Sequence, residues 1–137
     1  MPSAKALYER HGGTVEGCFR AVIEALSSDL TRKERADYLA YLGGIAHYSE
    51  PQFTFEDSGM AYFVAARSLA PDHTMACAYL LELYMEEPDG HKDTALAREC
   101  YRILKHSQPR FTEDEQTAFD SALHWVQHHG VKIADLE

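Results

Sequence analysis

Shifted by 38 residues, the sequence matches itself without a gap. Leu39, Leu42, Gly43 and Ala46 then fall on Cys77, Leu80, Leu81 and Tyr84, and Tyr41 falls on Tyr79. Further along, Gly59, Phe63, Ala66 and Pro71 fall on Ala97, Tyr101, Leu104 and Pro109. Small, aromatic, aliphatic and proline positions recur in one order. A period of this length marks a supersecondary unit that cannot bury its apolar face alone and shares a core with a neighbour of its own kind.

Within each copy the apolar spacing is helical. Leu39, Leu42 and Ala46, then Phe63, Ala66 and Leu69, follow the i, i+3, i+4, i+7 pattern with polar residues between. Thr31 with Glu34 and Thr112 with Glu115 read as capping boxes, in which hydroxyl and carboxylate each satisfy an orphan backbone N–H. Thr54 with Asp57, Asp72 and Asp93 are candidate N-caps. Pro51, Pro71, Pro88 and Pro109 stand where a helix has ended, and Gly130 suits the position after the last one. The pattern predicts about six helices, over 14–28, 31–48, 55–70, 73–87, 92–107 and 112–129, with a further short turn over 3–10. No stretch alternates as a strand does. The expected class is all-α.

The paired segments resemble tetratricopeptide-type repeats, including the longer Sel1-like variety. Leu39-x2-Leu42-Gly43-x2-Ala46 keeps the Leu-Gly of that family's helix A and lacks its aromatic; Cys77-x2-Leu80-Leu81-x2-Tyr84 keeps the aromatic and lacks the glycine. Gly59-x3-Phe63-x2-Ala66-x4-Pro71 and Ala97-x3-Tyr101-x2-Leu104-x4-Pro109 match the helix B pattern. The resemblance covers residues 36–109 and implies a right-handed stack of antiparallel helix pairs, a fragment of an α-solenoid. It makes 1–137 a single helical-repeat domain, with repeats at 30–71 and 72–109 and flanking helices at 14–28 and 112–129. Phe63, Tyr101 and Trp125 are expected to fill the gaps between layers.

Composition narrows the function. The chain has 137 residues, 45% hydrophobic and 26% charged, the balance of a globular domain. Thirteen basic against 22 acidic residues give a net charge of −9. Neutralising phosphates needs the opposite sign, so nucleic acid is not an expected partner and a charged partner is expected to be basic. Cys18, Cys77 and Cys100 form no CxxC pair and sit in helix-like stretches, which points to a reducing compartment. The N-terminal MPSAKALYERHGG lacks the apolar centre of a secretion signal, and no apolar run nears the roughly 20 residues that span a bilayer. A cytoplasmic protein with no membrane partner is expected. Leu136 and Glu137 carry no weight in this reading.

Candidate chemistry is sparse. Asp120, His124 and His128 fall at i, i+4 and i+8, a spacing that can offer a carboxylate and two imidazoles to a metal ion. Their competing role is electrostatic, since histidines at a helix C-terminus complement its dipole, and no HExxH glutamate accompanies them. Cys77, one turn after His73, has the residue types of a nucleophile and base, but it occupies the core position of Leu39 in the first copy. Gly12-Gly13 lacks the surroundings of a phosphate loop.

The tetratricopeptide resemblance further implies that ligands lie along the concave surface made by helix A of each repeat. The outward positions are Asp37, Ala40, Tyr41, Gly44, His47 and Tyr48 in the first copy and Met75, Ala78, Glu82, Met85 and Glu86 in the second. The end helix adds Glu113, Gln116, Asp120 and His124. Such a groove is acidic with tyrosine and methionine interleaved. The expectation is a non-enzymatic module that binds a basic polypeptide and needs no cofactor. It is similar in kind to immunity proteins that neutralise a cognate toxin, to adaptors and to secretion chaperones. The alternatives are a small metal-binding protein or metal-dependent enzyme using Asp120, His124 and His128, and the sensing part of a longer regulatory chain.

Overall fold

The computed structural model describes residues 4–48, 58–84 and 93–137, and every regular element among them is helical. Seven α-helices take the places of the six expected: α1 (Ala4–Arg10), α2 (Val15–Leu26), α3 (Arg32–Tyr48), α4 (Ser58–Leu69), α5 (Thr74–Tyr84), α6 (Thr94–Ser107) and α7 (Glu113–His128). Short 3₁₀ turns follow α6 at Gln108–Arg110 and α7 at Ile133–Leu136. The region expected to form only a turn is a seven-residue helix, α1, because Leu7 is completely buried and anchors it. No helix of the described residues is long and apolar enough to cross a membrane.

The helix limits follow local chemistry. Thr31 and Glu34 exchange hydrogen bonds of 3.1 and 3.2 Å, and Thr112 and Glu115 do the same at 3.0 and 3.2 Å, so both expected capping boxes form. Asp93 accepts from the Leu96 N–H at 3.1 Å and caps α6. Gly130 turns left-handed after α7, with its N–H on the Gln127 carbonyl and the next N–H, of Val131, on that of Val126. Asp72 does not cap α5. That helix begins at Thr74, so His73 is the residue before it and Asp72 sits in the preceding turn. The expected cap at Thr54 and Asp57 and the stops at Pro51 and Pro88 lie outside the described residues.

The helices fall into two compact units that meet between His73 and Thr74. In the first unit α3 is central, packed by α1, α2 and α4. Ala36, Tyr38, Leu39, Ala40, Leu42, Gly43 and Gly44 are all buried, so apolar contact surrounds this helix instead of following one stripe. Gly43 sets the spacing to α4: a Cβ there would stand 2.7 Å from the Cβ of Tyr62 and 3.0 Å from the Phe63 ring. Around Tyr38 and Leu42 close Leu7, Ala21, Ala25 and Leu30. Between α1 and α2 the chain reverses through Gly12 and Gly13, both with positive φ, and presses the His11 carbonyl against Gly17, where a Cβ would come within 2.2 Å of the oxygen. Glu24 of α2 then receives the side chains of Arg10 and of His11, the latter at 2.6 Å.

In the second unit α5 holds the centre, with α6 and α7 both packed on it. Ala76, Cys77, Ala78, Leu80, Leu81, Leu83 and Tyr84 are buried, again around most of the helix. The Asp93 N–H bonds the Tyr84 carbonyl and ties the start of α6 to the end of α5. From α6 come Ala97, Cys100, Tyr101 and Leu104, and from α7 Phe119, Ala122 and Val126. The Phe119 ring lies 6.1 Å from that of Tyr101 and 5.8 Å edge-on from that of Phe111. The last residues also belong to this core. Leu136 is completely buried, Glu137 accepts from the Tyr101 hydroxyl at 3.2 Å, and the Asp135 carbonyl accepts from Arg98 Nε at 2.9 Å.

Of the positions paired by the 38-residue shift, Leu39 and Cys77, Leu42 and Leu80, Phe63 and Tyr101, and Ala66 and Leu104 are buried in both copies, whereas Tyr41 is exposed and Tyr79 half-buried. Trp125, expected inside, is instead 38% exposed, because it stands a quarter-turn away from the Phe119, Ala122 and Val126 stripe.

Two contrasting effects on stability follow. Phe63→Ala is expected to lower the free energy of unfolding by about 3–5 kcal/mol, and Gly43→Ala by about 1–3 kcal/mol through the forced separation of α3 and α4; urea titration followed by circular dichroism measures both. Tyr38→Phe is expected to be neutral or stabilising by up to about 1 kcal/mol, since the Tyr38 hydroxyl is buried with no hydrogen-bond partner among the described residues. A Tyr38→Phe variant as unstable as Phe63→Ala would show that the hydroxyl is satisfied.

Candidate functional site

The central position of α3 and α5 decides how much of the expected binding surface is open. Ala40, Gly44 and Ala78, expected to face outward, are buried, because each central helix is covered from more than one side. The open remainder of α3 is a narrow row. Asp37 and Tyr41 stand one turn apart and are both exposed. Oδ1 of Asp37 lies 2.6 Å from Nε2 of His73. An ionised carboxylate only accepts, so Nε2 carries the shared proton. This bond fastens the turn after α4 to α3 and engages one carboxylate oxygen. His47 and Tyr48 are the last two residues of α3, and their side chains lie outside the described set.

On α5, Met75 and Glu82 are half-buried, with Tyr79 between them on the same side of the helix. Met85 and Glu86 lie outside the described residues. On α7, Glu113 is exposed in the first turn, where a carboxylate favours the helix dipole. Asp120, two turns further, is exposed and accepts from Gln116 Nε2 at 2.8 Å. Since α5 and α7 are neighbours in one unit, the structure brings the helix bearing Met75 and Glu82 beside the helix bearing Glu113 and Asp120.

Asp120, His124 and His128 share the outer side of α7, all exposed. Among the described residues no three His, Cys, Asp or Glu side chains are grouped to hold a metal ion. The histidines at this end have other neighbours. The His129 ring lies 4.4 Å from the Trp125 ring, its Nδ1 is 3.0 Å from the Trp125 carbonyl, and the His128 ring meets it edge-on at 5.6 Å. An exposed tryptophan braced by an imidazole is a feature sequence reasoning missed, although its angle from Val126 on a helical wheel placed it off the buried stripe. Ile23 and Leu26, one turn apart on α2, are likewise exposed. The thiols of Cys77 and Cys100 are completely buried, closed to any substrate.

The shifted ionisations have structural causes. Glu34 is held below the ordinary carboxylate value by its hydrogen bonds from the Thr31 backbone and hydroxyl. Burial pushes the phenols of Tyr38 and Tyr101 above the ordinary 10.0; the charge of Glu34 adds to this for Tyr38, and the bond to Glu137 and its charge add to it for Tyr101. Comparison of the chain with family models, with curated proteins and with solved structures finds no match.

A raised phenol pKa in the folded state means that unfolded chains release the proton first. The stability these groups contribute is therefore complete below pH 10 and declines as pH rises beyond it. Absorbance titration at 295 nm is expected to show Tyr38 and Tyr101 ionising above the ordinary value, together with unfolding, and Tyr101→Phe is expected to reduce that late phase.

Proposed function

We propose that this chain is a non-enzymatic module that binds a basic polypeptide, built from tetratricopeptide-like helix pairs at 30–71 and 72–109 as in an α-solenoid. The shared burial of Leu39 and Cys77, Leu42 and Leu80, Phe63 and Tyr101, and Ala66 and Leu104 supports the repeat. The packing of α5 on both α6 and α7 supports it too: in the family it resembles, helix A lies against its own helix B and against the next helix A. On this assignment α7 is the flanking helix that closes the second repeat.

The observation that carries the binding role is the adjacency of α5 and α7 within one unit, with Glu113 and Asp120 exposed on α7 and Met75 and Glu82 half-buried on α5. Carboxylates on a chain of net charge −9 accelerate encounter with a cationic partner, and neighbouring methionine and aromatic side chains supply adaptable contact area. Asp37 and Tyr41, exposed one turn apart on α3, would offer a smaller contact row on the first unit. In the cell the chain would act as an immunity protein against a basic toxin, or as a cytoplasmic adaptor or chaperone; the identity of the gene beside it distinguishes these roles.

Affinity capture from the native organism at low salt, compared between the wild-type chain and Glu113→Lys/Asp120→Lys, tests the proposal. Both residues are exposed, so the melting temperature is expected to move little. A basic protein retained by the wild type is expected to fall by about tenfold or more with the variant and to elute as salt is raised. Equal retention by the two forms would remove the acidic face from the binding site.

A further inference from the structure

The outer face of α6 reverses the sign of the chain. Although acidic residues outnumber basic ones 22 to 13, Arg98, Arg102 and Lys105 are all exposed on this helix. They follow i, i+4, i+7, so they lie within about 60° of one another around the axis and span about 10 Å along it. Arg110, exposed in the 3₁₀ turn that follows, adds a cation beyond the end of the helix. On the adjoining side, buried Ala97, Cys100, Tyr101 and Leu104 fix the helix against rolling.

The row is positioned and not neutralised. Arg98 Nε donates to the Asp135 carbonyl at 2.9 Å and Lys105 Nζ to the Gln108 amide oxygen at 3.3 Å, both uncharged acceptors. Among the described residues, no carboxylate forms an ion pair with Arg98, Arg102, Lys105 or Arg110. The helix dipole accounts for a cation in the last turn, such as Lys105, but not for Arg98, one turn from the positive end.

We propose that this row docks an acidic polypeptide, a helix whose carboxylates repeat one and two turns apart. Three facts select that partner. The cations lie on a rigid helix at spacings that a second helix reproduces, and guanidinium groups pair carboxylates with two parallel hydrogen bonds. Glu99 borders the row on one side, exposed on the same helix, and the tail bearing Asp135 and Glu137 lies on α6 as well. A continuous polyanion such as a nucleic-acid backbone or an anionic lipid surface meets those carboxylates as repulsion, whereas separated carboxylates on a peptide pass between them. The site is distinct from the acidic face of α5 and α7, so the chain carries two docking surfaces of opposite sign.

The test uses the full chain and a fluorescein-labelled helical peptide with glutamates at i, i+4 and i+7, beside the same peptide with glutamines. Anisotropy is expected to show binding of the glutamate peptide alone, weakening with salt. Arg98→Gln/Arg102→Gln/Lys105→Gln is expected to weaken it about tenfold or more. Arg102→Gln/Lys105→Gln leaves the Arg98 contact with the tail intact and is expected to retain the melting temperature while losing most of the binding. The proposal fails if both peptides bind alike, if the double variant binds as the wild type does, or if a single-stranded oligonucleotide or vesicles of anionic phospholipid bind more tightly than the glutamate peptide.

Discussion

Each unit depends on one helix covered from several sides. α3 and α5 contribute small residues, Ala36, Ala40, Gly43 and Gly44 in one and Ala76, Cys77 and Ala78 in the other, where neighbours must come close. Aromatic and aliphatic side chains from the partners then fill the remaining space. At Gly43 the margin is so narrow that one methyl group meets both Tyr62 and Phe63. Close packing of this kind turns a weakly amphipathic helix into a centre, and it hands the solvent-facing work to the helices that surround it.

Surface charge is distributed accordingly. Helices at the periphery show one buried stripe and one open face, as α6 does, and charged rows can form there without disturbing the core. Carboxylates dominate the chain as a whole, and the cations of α6 form a row bordered by Glu99 and the tail. On the two proposed docking surfaces, partners of opposite charge would be held at once, each through contacts that salt weakens.

What the sequence disclosed followed the range of the interaction. The caps at Thr31, Asp93, Thr112 and Gly130 involve residues a few positions apart, and all were legible, as were the helical period and the 38-residue shift. Burial of Ala40, Gly44 and Ala78 was not, because a helix wheel ranks faces by polarity and cannot count how many neighbours cover a small residue. The bond between Asp37 and His73 and the insertion of Leu136 join residues far apart in the chain, and no local pattern announces them. For the expected binding surface, Asp37, Tyr41, Glu113 and Asp120 proved open and Met75 and Glu82 partly so, while exposed Trp125 came from a position assigned to the core.

Two thiols without solvent access, Cys77 on α5 and Cys100 on α6, have a practical consequence. An alkylating reagent can reach them only when the second unit opens. The rate at which each becomes labelled therefore clocks the breathing of that unit in the unmodified chain, and peptide mass mapping assigns every adduct to its helix.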